Sequence, residues 1–359
     1  MRVPSSCRLL IAFLVLVVGA RAFAAGEVRN LYEAEVAVAN KDRKIRSEAF
    51  GLALLQVAVK VSGRRGAAAS PVIVEAMESP DRFVQQFRYR NVAPVAGGDE
   101  SPESPTLNLW VQFDAPAVDT LIREAGMPVW GRVRPSVLVL VAIESGGRRE
   151  LLSSDDGGGW AEFIGRAAGE RAVPLILPLM DLEDRRRLRA SDVWAGFEDN
   201  LRRAAQRYRS EGVLLGRVYE RVPGYWEARW RLLLEDGRHE WLDQAEGLDA
   251  VLLAGVHESA DLLASRFGGF SGATVASGVE VNVTGIRSLR DYARTLQYLD
   301  SLDQVSRVDV TNVKSGSVSF RIDARGGRET VRQVIALGRT LAEDAQGDLI
   351  TGLTYRLLP

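Results

Sequence analysis

Thiols, histidines and lysines are scarce in this 359-residue chain, and each scarcity closes a class of function. The one cysteine, Cys7, precedes the apolar part of a leader sequence. The chain behind that leader therefore has no thiol with which to form a disulfide, attack a substrate or bind a soft metal. Histidine occurs twice. His239 falls in an expected hairpin and His257 in an expected helix; "HESAD" at His257 lacks the second histidine, four residues on, that a zinc-protease helix needs to ligate from one face. Only Lys41, Lys44, Lys60 and Lys314 are lysines among the 46 basic residues, and none has a serine three residues before it, which removes the Ser-x-x-Lys nucleophile.

Excess charge is missing too. The net charge is −1 and no basic stripe runs along the chain, which argues against nucleic acid as a partner. No apolar run reaches the roughly 20 residues that span a bilayer. "LLIAFLVLVVGA" (Leu9 to Ala20) follows Arg2 and Arg8 and precedes "AFA" (Ala22 to Ala24), small residues where a signal peptidase cuts. Residues 1–24 are expected to be a cleaved export signal, with the cut before Ala25. Cys7 is on the wrong side of the apolar run for a lipoprotein. The expected location is the periplasm, with no transmembrane segment after cleavage. A thiol-free exported chain of this length holds itself together by core burial alone.

Three blocks are present. Residues 25–134 open with an alternating strand, "LYEAEVAVA" (Leu31 to Ala39), followed by a helix with an expected stripe of Ile45, Ala49, Leu52, Leu55 and Val59. Gly63 is placed to cap that helix. A loop at Asn91 to Pro105 is rich in Pro, Gly, Ser and acid. Residues 135–267 alternate strands and helices. "SVLVLVAI" reads as a strand covered on both faces, "VPLILPLM" (Val173 to Met180) as a buried strand, and Asp236-Gly237 as a hairpin turn. A linker at 268–278 leads to residues 279–359, whose pattern is β-α-β-β-α-β, the split βαβ or ferredoxin-like arrangement. The expected fold class is thus α+β or α/β and multidomain, with small mixed-sheet modules.

Several segments together carry a family resemblance. They are the leader followed by "LYEAEVAVANKDRKIRSEAFGLALLQVAVKVSG", "FVQQFRYR", "VPLILPLMDLEDRRRL" and "RYRSEGVLLGRV". On them the chain resembles DUF2066, a family of exported Gammaproteobacterial proteins of unknown function, and the resemblance implies no catalytic residues. "AAQRYRSEGVLLGRV" is more distantly similar to a step in TolB-type amino-terminal domains and in curli-secretion or penicillin-binding-protein-activator lipoproteins. The opening strand and helix are similar to part of a periplasmic flagellar-assembly protein. These likenesses imply scaffold and adaptor modules, and fold likeness alone does not fix function.

Motifs for chemistry are few. "GFSGA" (Gly269 to Ala273) resembles a nucleophile elbow but lacks the strand and helix that such an elbow needs. Asp181, Glu183 and Asp184 form the one acid cluster at a strand end, where paired carboxylates can divide acid and base roles if their pKa values are pushed apart. Arg185, Arg186, Arg187 and Arg189 follow at once, which suggests a solvated charged turn, with Ser191 or Asp192 capping a helix near Gly196. Trp226 and Trp230 lie on one face of a strand and Trp241 can join them across the hairpin, as core under a helix or as an aromatic binding face. No cofactor or metal is expected. The reading is a non-catalytic periplasmic adaptor or scaffold with an envelope protein partner, contacting it through Asp181, Glu183, Asp184, Trp226, Trp230 or Trp241. The alternatives are a hydrolase using the acid cluster and a small-ligand binding protein; oligomeric state stays open.

Overall fold

The computed structural model describes residues 28–92, 106–235, 237–268, 275–302, 304–325, 327–338, 340–344 and 352–358. The expected export signal, most of the Asn91–Pro105 loop, Asp236 and the middle of the 268–278 linker lie outside the described residues. Helices and three separate sheets make an α+β protein of several units.

The first sheet joins β1 (Glu33–Val38), β2 (Val84–Val92) and β3 (Thr106–Phe113) in the order β1-β3-β2, all antiparallel. Helix α1 (Arg43–Ser62) packs on it, followed by the short α2 (Pro71–Glu78); α3 (Ala115–Glu124) comes after β3 and is capped by Asp114, which accepts from the Ala117 amide at 2.9 Å. Gly63 ends α1 in the left-handed region at φ 68°. A Cβ there would stand 2.4 Å from the Trp130 ring, so both backbone and packing require glycine. Of the expected apolar stripe, Ala49 is buried and Ile45, Leu55 and Val59 pack against the core, but Leu52 is exposed, and the buried face extends to Phe50, Ala53, Leu54, Val57, Ala58 and Val61. The sheet covers one side of α1 and α2 another, so the buried face is broad and centred on small residues that let neighbours approach.

In the middle unit β4 (Val137–Ser145) turns back into β5 (Arg148–Leu151), then α4 (Trp160–Glu170) leads to β6 (Leu175–Ile176). Three short helices follow, α5 (Leu182–Arg187), α6 (Ala190–Ala195) and α7 (Glu198–Tyr208). The meander β7 (Gly212–Val222), β8 (Tyr225–Leu234) and β9 (Gly237–Glu246) precedes α8 (Leu248–Phe267). The sheet runs β5-β4-β7-β8-β9, with β4 and β7 parallel and β6 beside the start of β4. β4 is buried from Val137 to Ala142, and α8 on one face and α6 and α7 on the other close two cores over the sheet. "VPLILPLM" departs from the expected buried strand: only two residues pair, and both are half-buried. Pro174 and Pro178 bracket them and have no amide to donate to a ladder.

The third unit contains β10 (Val275–Ile286), α9 (Leu289–Asp300), β11 (Val305–Lys314), β12 (Gly316–Arg325), α10 (Gly327–Leu337), β13 (Leu341–Glu343) and β14 (Leu353–Leu357). The sheet order is β11-β12-β10-β14-β13. The two βα crossovers of the split arrangement are present, but the strand that α10 feeds, β13, does not reach β10. β14 pairs with β13 antiparallel and inserts between it and β10, running parallel to β10. A seventh element therefore reverses the direction of the strand beside the first, which a six-element pattern could not show.

Candidate functional site

Asp181, Glu183 and Asp184 are brought together, on a helix start rather than a loose turn. Asp181 caps α5, its Oδ1 accepting from the amides of Glu183 and Asp184 at 3.0 Å each. Of the adjacent arginines, Arg187 pairs with Glu183 at 3.1 Å, and a distant one, Arg207 in the last turn of α7, reaches all three carboxylates. Its Nη2 donates to Asp181 Oδ2 at 2.6 Å, its Nη1 to Asp181 Oδ1 at 3.1 Å and to Asp184, and its Nε lies 3.5 Å from Glu183 Oε2. Asp184 is buried and also accepts from the Met180 amide at 3.0 Å and from the Tyr208 hydroxyl. The hydrogen bond from Arg207, with the Asp184 amide behind it, holds Asp181 down at about 2. Burial and the Asp184 carboxylate push the Tyr208 phenol up to about 12. One guanidinium thus binds all three carboxylates and locks α5 to α7. Asp181 stays ionised at neutral pH. The expected cap for α7 is also displaced, because Asp192 accepts from the Arg189 amide at 2.8 Å and serves α6.

The tryptophans gather under α8. Trp230 is buried and stacks on Trp241 with ring centroids 6.3 Å apart; Trp226 and Trp241 are half-buried against the same core. The Trp230 indole fills a slot between two glycines. A Cβ at Gly255 of α8 would stand 2.3 Å from it and one at Gly216 of β7 2.5 Å. Asp184 and Trp230 therefore face inwards, which leaves Asp181, Glu183 and the half-buried Trp226 and Trp241 at the surface.

The opposite face of β7–β9 holds what composition hid. Arg217, Tyr219 and Arg221 on β7 and Glu227, Arg229 and Arg231 on β8 alternate with the core residues of those strands. Glu227 is only 2 % exposed and accepts from the Tyr219 hydroxyl, Arg221 at 3.0 Å, Arg229 at 3.2 Å and Gln244 at 2.8 Å. The Tyr219 bond, joined by those other donors, holds its carboxyl below the usual value despite burial. Helices α6 and α7 cover β4, β5 and β7 on this side and leave β8 and β9 open, with Leu242 52 % and Phe197 56 % exposed. The signal was in the sequence as two period-2 runs, R-x-Y-x-R and E-x-R-x-R.

A second unanticipated feature joins the first and middle units. The fully buried Arg134 gives its guanidinium to the carbonyls of Gly131 (2.9 Å), Arg171 (3.1 Å), Ala172 (3.0 Å), Lys60 (2.6 Å) and Trp130 (2.8 Å). Arg171, also buried, donates to the Gly63 carbonyl at 2.7 Å and to Asp261 at 2.5 Å, and Asp261 holds Arg65 at 2.7 Å. Two cations thus sit at the carbonyl end of α1, where the helix dipole favours positive charge. Burial and the charges of Arg171 and Arg65 keep His257 below its usual value, which suits a neutral ring accepting from Arg171 at 3.3 Å. Beside this junction lies a cleft of about 730 Å³ lined by Lys60, Glu35, Arg166 and Glu170 among others. The Lys60 ammonium donates to the Glu33 carbonyl at 2.9 Å, and burial lowers its pKa.

Among the described residues, no group of three or more His, Cys, Asp or Glu side chains is placed to hold a metal ion, and no helix is long and apolar enough to cross a membrane. The fold and these clusters define an α+β protein of several units in which buried arginines tie segments together. A family model described as a domain of unknown function, DUF8605, matches residues 25–131, the first unit. The DUF2066 resemblance gives way to this match, as do the distant likenesses stated with it. Within the first unit that resemblance rested on "LYEAEVAVANKDRKIRSEAFGLALLQVAVKVSG" and "FVQQFRYR", both inside the matched residues. No curated protein matches the chain.

Proposed function

We propose that the protein is an exported, non-catalytic adaptor of the Gram-negative envelope, acting through contacts with another envelope protein. The leader sequence supports export to the periplasm. The observation that carries the adaptor reading is the uncovered half of the middle sheet, where Leu242 and Phe197 stand exposed beside a row of arginines. A buried arginine junction behind it favours a firm mount for that face. The test is site-specific photo-cross-linking in cells from Leu242 and Phe197. Covalent capture of one envelope protein from both positions, but not from Leu52 on α1, is expected; capture from neither would refute the reading.

The hydrolase alternative rests on Asp181, Glu183 and Asp184. Their shared engagement by Arg207 favours a structural role. Replacing all three by alanine tests it. Full complementation at normal protein level would end it.

A further inference from the structure

Within the open sheet face one cation stands apart. Arg221 and Arg229 are paired with Glu227, and Arg231 with Glu240 at 2.8 Å. Arg217 has no hydrogen bond or ion pair among the described residues. It is half-buried on β7, and its direct cross-strand partner on β8 is Arg229. Like charges directly opposite one another on neighbouring strands destabilise a sheet. A third guanidinium converges on the same place. From the position that a Cβ of Gly196 would occupy, Arg217 Nη2 is 2.8 Å away and Arg231 Nη1 3.1 Å. Gly196 has φ 73° and its backbone packs against the two guanidiniums with no room for a Cβ, so an anion reaches them from the exposed side, at Arg229 and Leu242. Burial first, then the charge of Arg231, pulls the Arg217 guanidinium below its ordinary value, with Glu240 opposing. An arrangement that costs free energy in the isolated chain is repaid by an anion that the forked donors can grip.

We propose that Arg217 and Arg231, backed by Arg229, seat a carboxylate of an acidic segment of a partner protein. The charge balance selects the anion. Arg217 has no acid of its own and Arg221 and Arg229 share Glu227, while Glu198, Glu227 and Glu240 stand close by and oppose a doubly charged phosphate. The surroundings select a peptide over a free acid. Phe197 directly follows Gly196, and Leu242 is the cross-strand neighbour of Arg229, so exposed apolar side chains flank the seat on two sides. A glutamate or aspartate with apolar neighbours matches that pattern. The inference rests on the adaptor reading and gives the chemistry of one contact.

The experiment uses the full mature chain and three probes: a fluorescent peptide with two glutamates flanked by leucines, its glutamine counterpart, and inorganic phosphate. The glutamate peptide is expected to bind at least about tenfold more tightly than the glutamine peptide, and Arg217→Gln to remove that preference. Binding should weaken as salt rises from about 50 to 500 mM. Without a probe, Arg217→Met should melt at or above the wild-type temperature, because it removes the like-charge pair and keeps the aliphatic stem. Equal binding of the two peptides would overturn the proposal. So would stronger competition by phosphate than by the glutamate peptide, or a clear fall in melting temperature for Arg217→Met. Cross-links from Leu242 that persist in Arg217→Gln would leave the adaptor standing and remove this seat.

Discussion

Replacing Arg134 by methionine tests whether the first and middle units are held by one guanidinium. The wild-type side chain is fully buried and satisfies five carbonyls drawn from α1, the chain after Trp130 and the end of α4. Methionine keeps most of the length and apolar bulk, so the cavity is small and the loss is polar. Two effects oppose each other. Removing a buried charge relieves its desolvation, but every carbonyl left dry costs about 1–3 kcal/mol. If water reaches three of the five, the other two still cost about 2–6 kcal/mol. The contact of the guanidinium with the Trp130 ring, 4.2 Å to its centroid, is lost as well. The break therefore outweighs the relief, and a loss of about 3 kcal/mol is expected. Urea titration followed by tryptophan emission measures it, because Trp130 lies against the substituted side chain. Hydrogen exchange at the last turn of α1 should quicken in parallel, since Lys60 loses the donor to its carbonyl. Arg134→Lys should recover only part, because one ammonium cannot reach carbonyls on three separate segments. A loss below about 1 kcal/mol for Arg134→Met would refute the account.

Two further outcomes are expected. Gly255→Ala places a methyl 2.3 Å from the Trp230 ring, and overpacking should cost about 1–3 kcal/mol despite the better helix propensity of alanine; a higher melting temperature would show that the slot has room. Asp181 has a folded pKa of about 2 against 3.8 unperturbed, so its contribution is present above 3.8 and lost as pH falls through about 2. Carboxyl NMR should find that low midpoint, with Arg207→Gln returning it towards 3.8; a wild-type midpoint near 4 would dissolve the clamp.

Local pattern carried most of the element inventory. The helix that Gly63 ends, the apolar run of β4 and the helix around His257 were all legible, because each depends on periodicity and on turn or cap residues nearby in the chain. The failures share a cause. The buried face of α1 is wider than the expected stripe because α2 packs on a second side, and β6 shrank because its pairing depended on β4 and on two prolines without amides. In the third unit the short strand β13 was missed, and with it the last strand, β14, lies beside β10 but parallel to it. For the acid cluster, the sequence located the carboxylates but not their counter-charge. Of the four arginines adjacent in sequence only Arg187 pairs with a member, Glu183, and Arg207, 23 residues beyond Asp184, binds all three.

The order of residues alone settled that the chain beyond Cys7 lacks thiols, that helices and strands mix in small units, and that carboxylates crowd at Asp181 to Asp184. These follow from composition and from spacings of two to four residues. Which charges meet was decided only by tertiary structure. Arg134, Arg171, Arg207 and Arg217 belong to one residue type in similar polar contexts, yet two are buried rivets, one is a clamp and one is left without an acid. Their fates depend on which carbonyl or carboxylate the fold carries to them from distant sequence, and a guanidinium's energetic role changes sign with that partner.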